Sequence, residues 1–279
     1  MPDGASATME TLLPLVWHWL LAYGLALARP LALVSIHPVF TRAQVTGLLR
    51  GAVATALCLP ALPMLGQALD AGAPSGVALL MLAVKEAAMG AALGLLLGVP
   101  FWALDVAGDL LDLQRGAMQG RLDDPAGFED VSITGTFLLL VGVVLFVASG
   151  GLELLADLLY RSWRIWPPLS GLPAMSAATP GLLLGVLDQV LRQAVRLAAP
   201  VVLAMLLADF ALVLAGRAAP QLRVDDHALA ARNLVFFVFL PVYCAFLVTY
   251  VRQDLALLPG TLDLIGAALP SSGLPGSRP

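Results

Sequence analysis

The sequence predicts an all-α, polytopic membrane protein with about six hydrophobic helices whose fold is completed against partner subunits. Three observations carry this. First, 59% of the 279 residues are hydrophobic and only 12% are charged, with a mean hydropathy of +0.89. Soluble domains average roughly 45–50% apolar and 25% charged, so the excess apolar surface must meet lipid or protein. Second, the apolar residues form continuous runs near the roughly 20 residues a spanning helix needs. They do not alternate, which favours helices over a closed barrel. Third, several runs contain charges, each costing about 2.5–3.5 kcal/mol at a helix centre, and such charges need partners.

The elements follow from the charge-free stretches. Residues 11–28 form the first, ended by Arg29-Pro30, because proline removes a helix donor and clashes with the preceding turn. Asp3 and Glu10 precede it and no basic residue comes before Arg29, unlike the basic start of a cleaved signal. It therefore reads as a retained helix. The second runs over 51–69, with Pro60 and Pro63 near its end, and the third over 71–104, with Lys85 and Glu86 inside it. The fourth, 131–152, has no charge; the fifth, 181–216, is interrupted by Pro200; the sixth is 233–251. Residues 1–258 read as one membrane domain. The Pro-, Gly- and Ser-rich stretch 259–279 reads as a disordered tail.

The charge balance narrows the function. The net charge is −4 and the 15 Lys and Arg are scattered, which excludes a basic nucleic-acid surface. Arginines 29, 42, 50, 115, 121, 217, 223 and 232 lie in connections that alternation places on the cytoplasmic side. That puts the N-terminus outside, with Arg161 and Arg164 as exceptions. Cys58 and Cys244 both lie in apolar stretches and read as buried small hydrophobes.

Four polar or small-residue patterns stand out. Gly90, Gly94 and Gly98 are four apart and open a groove for a close helix, in this chain or in another subunit. Lys85 and Glu86 are adjacent, so they point about 100° apart and are expected not to face one internal partner; at least one is expected to pair with another helix or face water. Asp105, Asp109 and Asp112 share one helix face. That face could hold Mg²⁺ and a phosphate in a membrane transferase, but no second acidic cluster completes such a site, and a solvated or paired face is the plainer reading. The stripes Glu153-Asp157-Arg161 and Asp188-Arg192-Arg196 suit i,i+4 pairing on helices that line water or polar subunit surfaces. Catalytic patterns are missing. His18, His37 and His227 are far apart in no metal-binding pattern, and there is neither a nucleophile elbow nor a P-loop. The chain reads as a non-enzyme without cofactor or metal.

Four segments together resemble one family. They are Ala28-Arg29-Pro30 with His37-Pro38-Val39-Phe40-Thr41-Arg42 and Gly47-Leu48-Leu49-Arg50; Lys85-Glu86 through to Phe101-Trp102; Gly108-Asp109-Leu110-Leu111-Asp112-Leu113-Gln114-Arg115-Gly116 with Asp124-Pro125; and Ala208-Asp209-Phe210 with Arg217 and Ala219-Pro220-Gln221-Leu222. In this order, over roughly 11–250, the chain resembles the T component of the type III secretion export apparatus (SctT, with HrcT, YscT and SpaR as variants) and flagellar FliR.

The resemblance implies a multi-pass inner-membrane protein, present once in a helical export gate with R-type and Q-type subunits and next to the U-type switch protein. Unfolded proteins would pass through its channel, driven by the proton-motive force and an associated ATPase. It also implies a channel plug at about 105–130. Gln114, Arg115, Gly116, Met118 and Gly120 are the candidates there; the alternative for Arg115 is a simple pairing with Asp112 or Asp109. Lys85, Glu86, Gly90, Gly94, Gly98, Asp109, Asp112 and Asp209 are the candidates for subunit packing. One departure is Arg223-Val224-Asp225-Asp226-His227, more polar than the family's usual apolar continuation. The competing functions are a small-solute transporter, which should show internal repeats, and a membrane transferase, which should depend on metal at Asp109 or Asp112.

Overall fold

The computed structural model describes residues 3–42, 46–70, 72, 74–116, 132–171, 179–218 and 224–268. All regular structure among them is helical: α1 (Asp3–Ile36), the single turn α2 (Pro38–Thr41), α3 (Gly47–Cys58), a 3-10 turn at Leu59–Ala61, α4 (Leu62–Asp70), α5 (Gly76–Gln114), α6 (Ile133–Ala148), α7 (Gly151–Ile165), α8 (Thr179–Ala218) and α9 (Val224–Ala268). Five segments are long and apolar enough to cross a membrane, and a sixth if the bent pair α6–α7 counts as one span. The fold class is all-α and polytopic.

Prolines act differently from the sequence expectation. Helix α1 does not end at Arg29-Pro30: Pro14 and Pro30 both lie inside it. Pro200 likewise lies inside α8. One missing hydrogen bond and a local clash are tolerable where the flanking turns are held laterally, and around Pro30 they are held by the buried Arg29 described below. At Pro60 the chain does yield. The expected second helix divides into α3, a tightened 3-10 turn and α4, because the ring removes a donor that the tighter turn does not need. The expected fourth helix stops at Ser149-Gly150, where Gly150 has a φ of 78° and ends the helix in left-handed backbone. α7 then carries Glu153, Asp157 and Arg161, the stripe expected on a helix. α5 runs ten residues past its expected end, through Asp105, Asp109 and Asp112. α9 extends to Ala268, into the stretch read as a tail; 269–279 lie outside the described residues.

The chain divides into two compact units. The first comprises residues 1–98, 153–179 and 259–279. Here α1 packs on α3 and α4, and Leu25, Leu33, Leu65, Leu97, Leu158 and Leu159 are buried. α1 and α5 meet at backbone distance. A Cβ on Gly90 would overlap the Arg29 main chain, and one on Gly94 would lie 3.0 Å from the Leu33 carbonyl oxygen. The matching steps, 29 to 33 and 90 to 94, show two helices running in the same direction. The glycine groove is thus filled from within the chain, and Gly98 is also buried.

The second unit comprises 99–152 and 180–258. Its core includes Phe101, Leu104, Leu111, Leu138, Leu139 and Phe146, with Phe101 and Phe146 edge-to-face at 5.3 Å. α5 and α6 cross closely. A Cβ on Gly108 would overlap Gly135, and one on Gly142 would overlap the Leu104 side chain. This pairing, 108 with 135 and 104 with 142, is antiparallel. α8 and α9 bury only narrow stripes, such as Phe236, Tyr243 and Leu247 on α9, and leave Leu203, Leu207, Phe210, Phe237, Val238 and Val242 exposed.

Candidate functional site

Two polar constellations are built into these apolar units. In the first unit, Arg29 of α1 is completely buried. Its Nη1 donates to Ser162 Oγ at 2.9 Å, and its Nη2 donates to Glu86 Oε1 at 2.9 Å and to the Trp166 carbonyl at 3.0 Å. Nε lies 2.8 Å from Glu86 Oε2, an ion-pair contact without hydrogen-bond alignment. Trp163 Nε1 donates to the same Oε2 at 3.3 Å.

Lys85 joins this site. Its Nζ is 3.0 Å from Glu86 Oε1 and donates to the carbonyls of Pro167, Pro168 and Ser170 at 2.9, 2.8 and 3.0 Å. These carbonyls belong to the turn that follows α7 and present their partially negative oxygens to Nζ. They explain how two cations and one carboxylate coexist at 0–2% exposure: backbone dipoles stabilise the excess positive charge. As the 100° offset suggests, the two take different partners, Glu86 the guanidinium of Arg29 on another helix and Lys85 the carbonyls after α7, while Lys85 also reaches Glu86. The flexible four-carbon stem of lysine covers the 100° offset between adjacent positions. Both side chains are buried, at 2% and 0% exposure.

In the second unit, Asp112 near the end of α5 binds the start of α6. Its Oδ2 accepts from Ser132 Oγ at 2.7 Å and from the Thr134 backbone N–H at 3.1 Å; its Oδ1 accepts from Thr134 Oγ1 at 2.6 Å. Ser132 caps α6 by accepting from the Gly135 N–H at 2.8 Å. A carboxylate here satisfies orphan helix donors and complements the α6 dipole. Arg115, one turn on, contacts Asp112 Oδ1 at 2.6 Å through Nη2 and donates to it from Nε at 2.9 Å. It also donates to Thr134 Oγ1 at 3.0 Å and lies over the Phe236 ring of α9, 4.5 Å from its centroid. This clasp ties together the two residues groups that flank 117–131, and of the two sequence readings of Arg115 it supplies the pairing with Asp112.

The remaining candidates separate. Asp105, half-buried, and Asp109, exposed, stay on the face where Gly135 crosses, so the three aspartates do not act together: only Asp112 is committed to the clasp. Gln114 is half-buried at the α5 end, and Gly116 has a φ of 75°, a left-handed turn that leaves the helix. Met118 and Gly120 lie outside the described residues. Asp209 pairs with Arg232 across α8 and α9, with Nε 2.8 and 3.0 Å from its two oxygens. Among the described residues no group of three His, Cys, Asp or Glu is placed to hold a metal ion. Cys58 is buried and Cys244 half-buried, both as free thiols.

Sequence reasoning found Asp112 and Arg115 but missed the centre of the first constellation and the α6 side of the second. Arg29 read as helix punctuation, and Ser132, Thr134 and Ser162 carried no signal. Gly108 and Gly135, which let α5 and α6 touch, are too far apart in sequence to form a small-residue motif.

The comparisons with known proteins agree with this architecture. The family model for bacterial export proteins, family 1, matches residues 20–258. The chain is 31% identical over 256 residues to the Yop proteins translocation protein T of Yersinia pestis, covering 90% of this chain and 96% of that protein. It is 32% identical over 231 residues to the surface presentation of antigens protein SpaR of Salmonella typhimurium, covering 82% and 84%. With the flagellar biosynthetic protein FliR of Pectobacterium carotovorum it shares 29% over 214 residues, covering 74% and 78%. A multi-pass protein of the bacterial inner membrane, the chain belongs to the bacterial export proteins, family 1, within the superfamily of the type III secretion and flagellar export apparatus.

Proposed function

We propose that this chain is the T-type subunit of a type III secretion export gate. It assembles with R-type and Q-type subunits and adjoins the U-type switch protein. Together they form the channel through which unfolded proteins cross the inner membrane, with the segment after Gln114 as the plug. The observation that carries this reading is the clasp between Asp112, Arg115, Ser132 and Thr134. It fixes both flanks of 117–131 to helix ends, which is what a plug needs if its base is to stay put while its middle gives way. The plug expected at 105–130 narrows accordingly, since 105–114 belong to α5.

The high similarity to proteins named for Yop translocation and for surface presentation of antigens supports the secretion type over the flagellar type. The wide apolar faces of α8 and α9 support assembly with further subunits. A transferase using the aspartate face is disfavoured by geometry: the Asp112 carboxylate already meets Ser132, Thr134 and Arg115, leaving it no room for a metal. The test is a shortening of 117–124 in the assembled complex, with ion leakage across the inner membrane as readout. Leakage through resting channels is expected. Unchanged permeability with the complex intact removes the plug assignment.

A further inference from the structure

Both contacts of Arg115 to the Asp112 carboxylate fall on one oxygen. Nε donates to Oδ1 at 2.9 Å, and Nη2 meets the same Oδ1 at 2.6 Å. Oδ2 is taken by Ser132 Oγ and the Thr134 N–H. A guanidinium that grips two carboxylate oxygens in parallel has its plane fixed by them. One that grips a single oxygen can swivel about the line from that oxygen to its central carbon without lengthening either contact. Such a turn would carry Nη2 away from Thr134 Oγ1, now 3.0 Å away, and so break a bond that ties the end of α5 to the start of α6.

Besides Thr134, what opposes the swivel is the ring of Phe236. Arg115 Cζ lies over that ring, 4.5 Å from its centroid, where the negative face of an aromatic attracts a cation. Phe236 is 4% exposed, so little water competes for the guanidinium face it covers. Its own place is held along α9. One turn earlier, Arg232 Nε donates to both Asp209 oxygens on α8 at 2.8 and 3.0 Å. Two and three turns later on the same face, Tyr243 and Leu247 are buried. The next residue, Phe237, stands about 100° round the helix and is 63% exposed.

We propose that Phe236 is the positioning residue of the clasp: its ring holds the Arg115 guanidinium in the plane that reaches Asp112 and Thr134 together, which makes α9 part of the anchor for the flanks of 117–131. The inference rests on the reading of that segment as the plug, and it names the contact that regulates its release. A displacement of α9 from the end of α5 uncovers the guanidinium, lets it turn, and loosens the tie between α5 and α6.

The test uses the full chain in cells that express the complete export machinery, with mono-, di- and trifluorophenylalanine placed in turn at position 236. Fluorine drains negative charge from the ring face and leaves the ring shape nearly unchanged, so a packing role alone predicts no trend. Ion leakage through resting channels should rise with each fluorine and reach about fivefold or more over the parent with three. In an Arg115→Ala background the same series should add nothing, because the contact is already gone. The series at position 237 should have no effect in either background. A flat response at 236, an equal response at 237, or effects of the ring and of Arg115→Ala that simply multiply would overturn the proposal. Shortening 117–124 runs alongside: if it leaks and the series at 236 does not, this inference alone fails. If the shortened channel stays tight, the plug reading fails, and thermal unfolding of the purified assembly decides the contact itself. Fluorination should then lower the Tm of the parent and leave that of Arg115→Ala unchanged; an equal fall in both would overturn the positioning role.

Discussion

Replacing Asp112 with alanine should be among the most damaging single changes in the second unit. The carboxylate is 3% exposed and accepts from Ser132 Oγ, the Thr134 N–H and Thr134 Oγ1 besides pairing with Arg115. Hydrogen bonds to a charged group contribute about 1.5–3 kcal/mol each, but these share one acceptor group and will not add. Removing one member of a buried ion pair costs about 3–5 kcal/mol in all, and Asp112→Ala should fall there. Asp112→Asn keeps one acceptor oxygen and should cost about 2 kcal/mol. Arg115→Ala should cost less than Asp112→Ala, about 1–2 kcal/mol, because Asp112 retains its three other donors and Arg115 is 11% exposed. Thermal unfolding in detergent, followed by tryptophan fluorescence, reads this as a fall in Tm of about 2–4 °C per kcal/mol. Asp112→Ala within about 1 kcal/mol of the parent, or Arg115→Ala worse than Asp112→Ala, would refute the account of the clasp.

Three further outcomes follow from the same structure. Glu86→Gln leaves Arg29 and Lys85 buried without a carboxylate, whereas Lys85→Met leaves a neutral Arg29–Glu86 pair; membrane accumulation should be abolished by the first and only reduced by the second. Gly90→Ala and Gly108→Ala place a Cβ in opposing backbone and should disrupt the fold, while Gly24, with nothing within 4 Å, should accept alanine with a gain of up to about 1 kcal/mol in thermal unfolding. Burial pushes the His37 imidazole down to about 4, against a smaller opposing contribution from the Leu97 backbone. The unfolded chain then binds the proton more readily, so the His37 contribution to stability is full above pH ~6.5 and is lost as pH falls toward 4, by about 2 kcal/mol at pH 5. His37→Asn, whose amide oxygen can still accept from the Val39 N–H as His37 Nδ1 does, should flatten unfolding curves across that range.

Much of the class was legible in the sequence, and much of the pairing was not. Continuous apolar runs gave the helices because lipid and close-packed interiors both demand backbone satisfied within one segment. Prolines misled at 30 and 200, since a single lost donor is a local cost that lateral packing can offset, and the sequence does not show the packing. Lys85 and Glu86 were visible as charges that need partners. Their partners, Arg29 in α1 and the carbonyls of Pro167, Pro168 and Ser170, come from remote segments, and backbone carbonyls have no sequence signature. The glycine spacing at 90 and 94 announced a close approach but not its direction, and the structure turns it inward onto α1. Asp112 belonged to a visible acidic face, yet only Asp112 takes the Ser132 and Thr134 donors at the start of α6, while Asp105 and Asp109 lie against Gly135.

The most direct test of the central claim is a cryo-EM structure of this chain purified after co-expression with R-type and Q-type subunits. The account predicts one detergent-stable assembly in which protein covers the exposed α8 and α9 faces and the segment after Gln114 lies across a central channel. A monodisperse monomer with those faces in detergent, transporting or catalysing by itself, would contradict it.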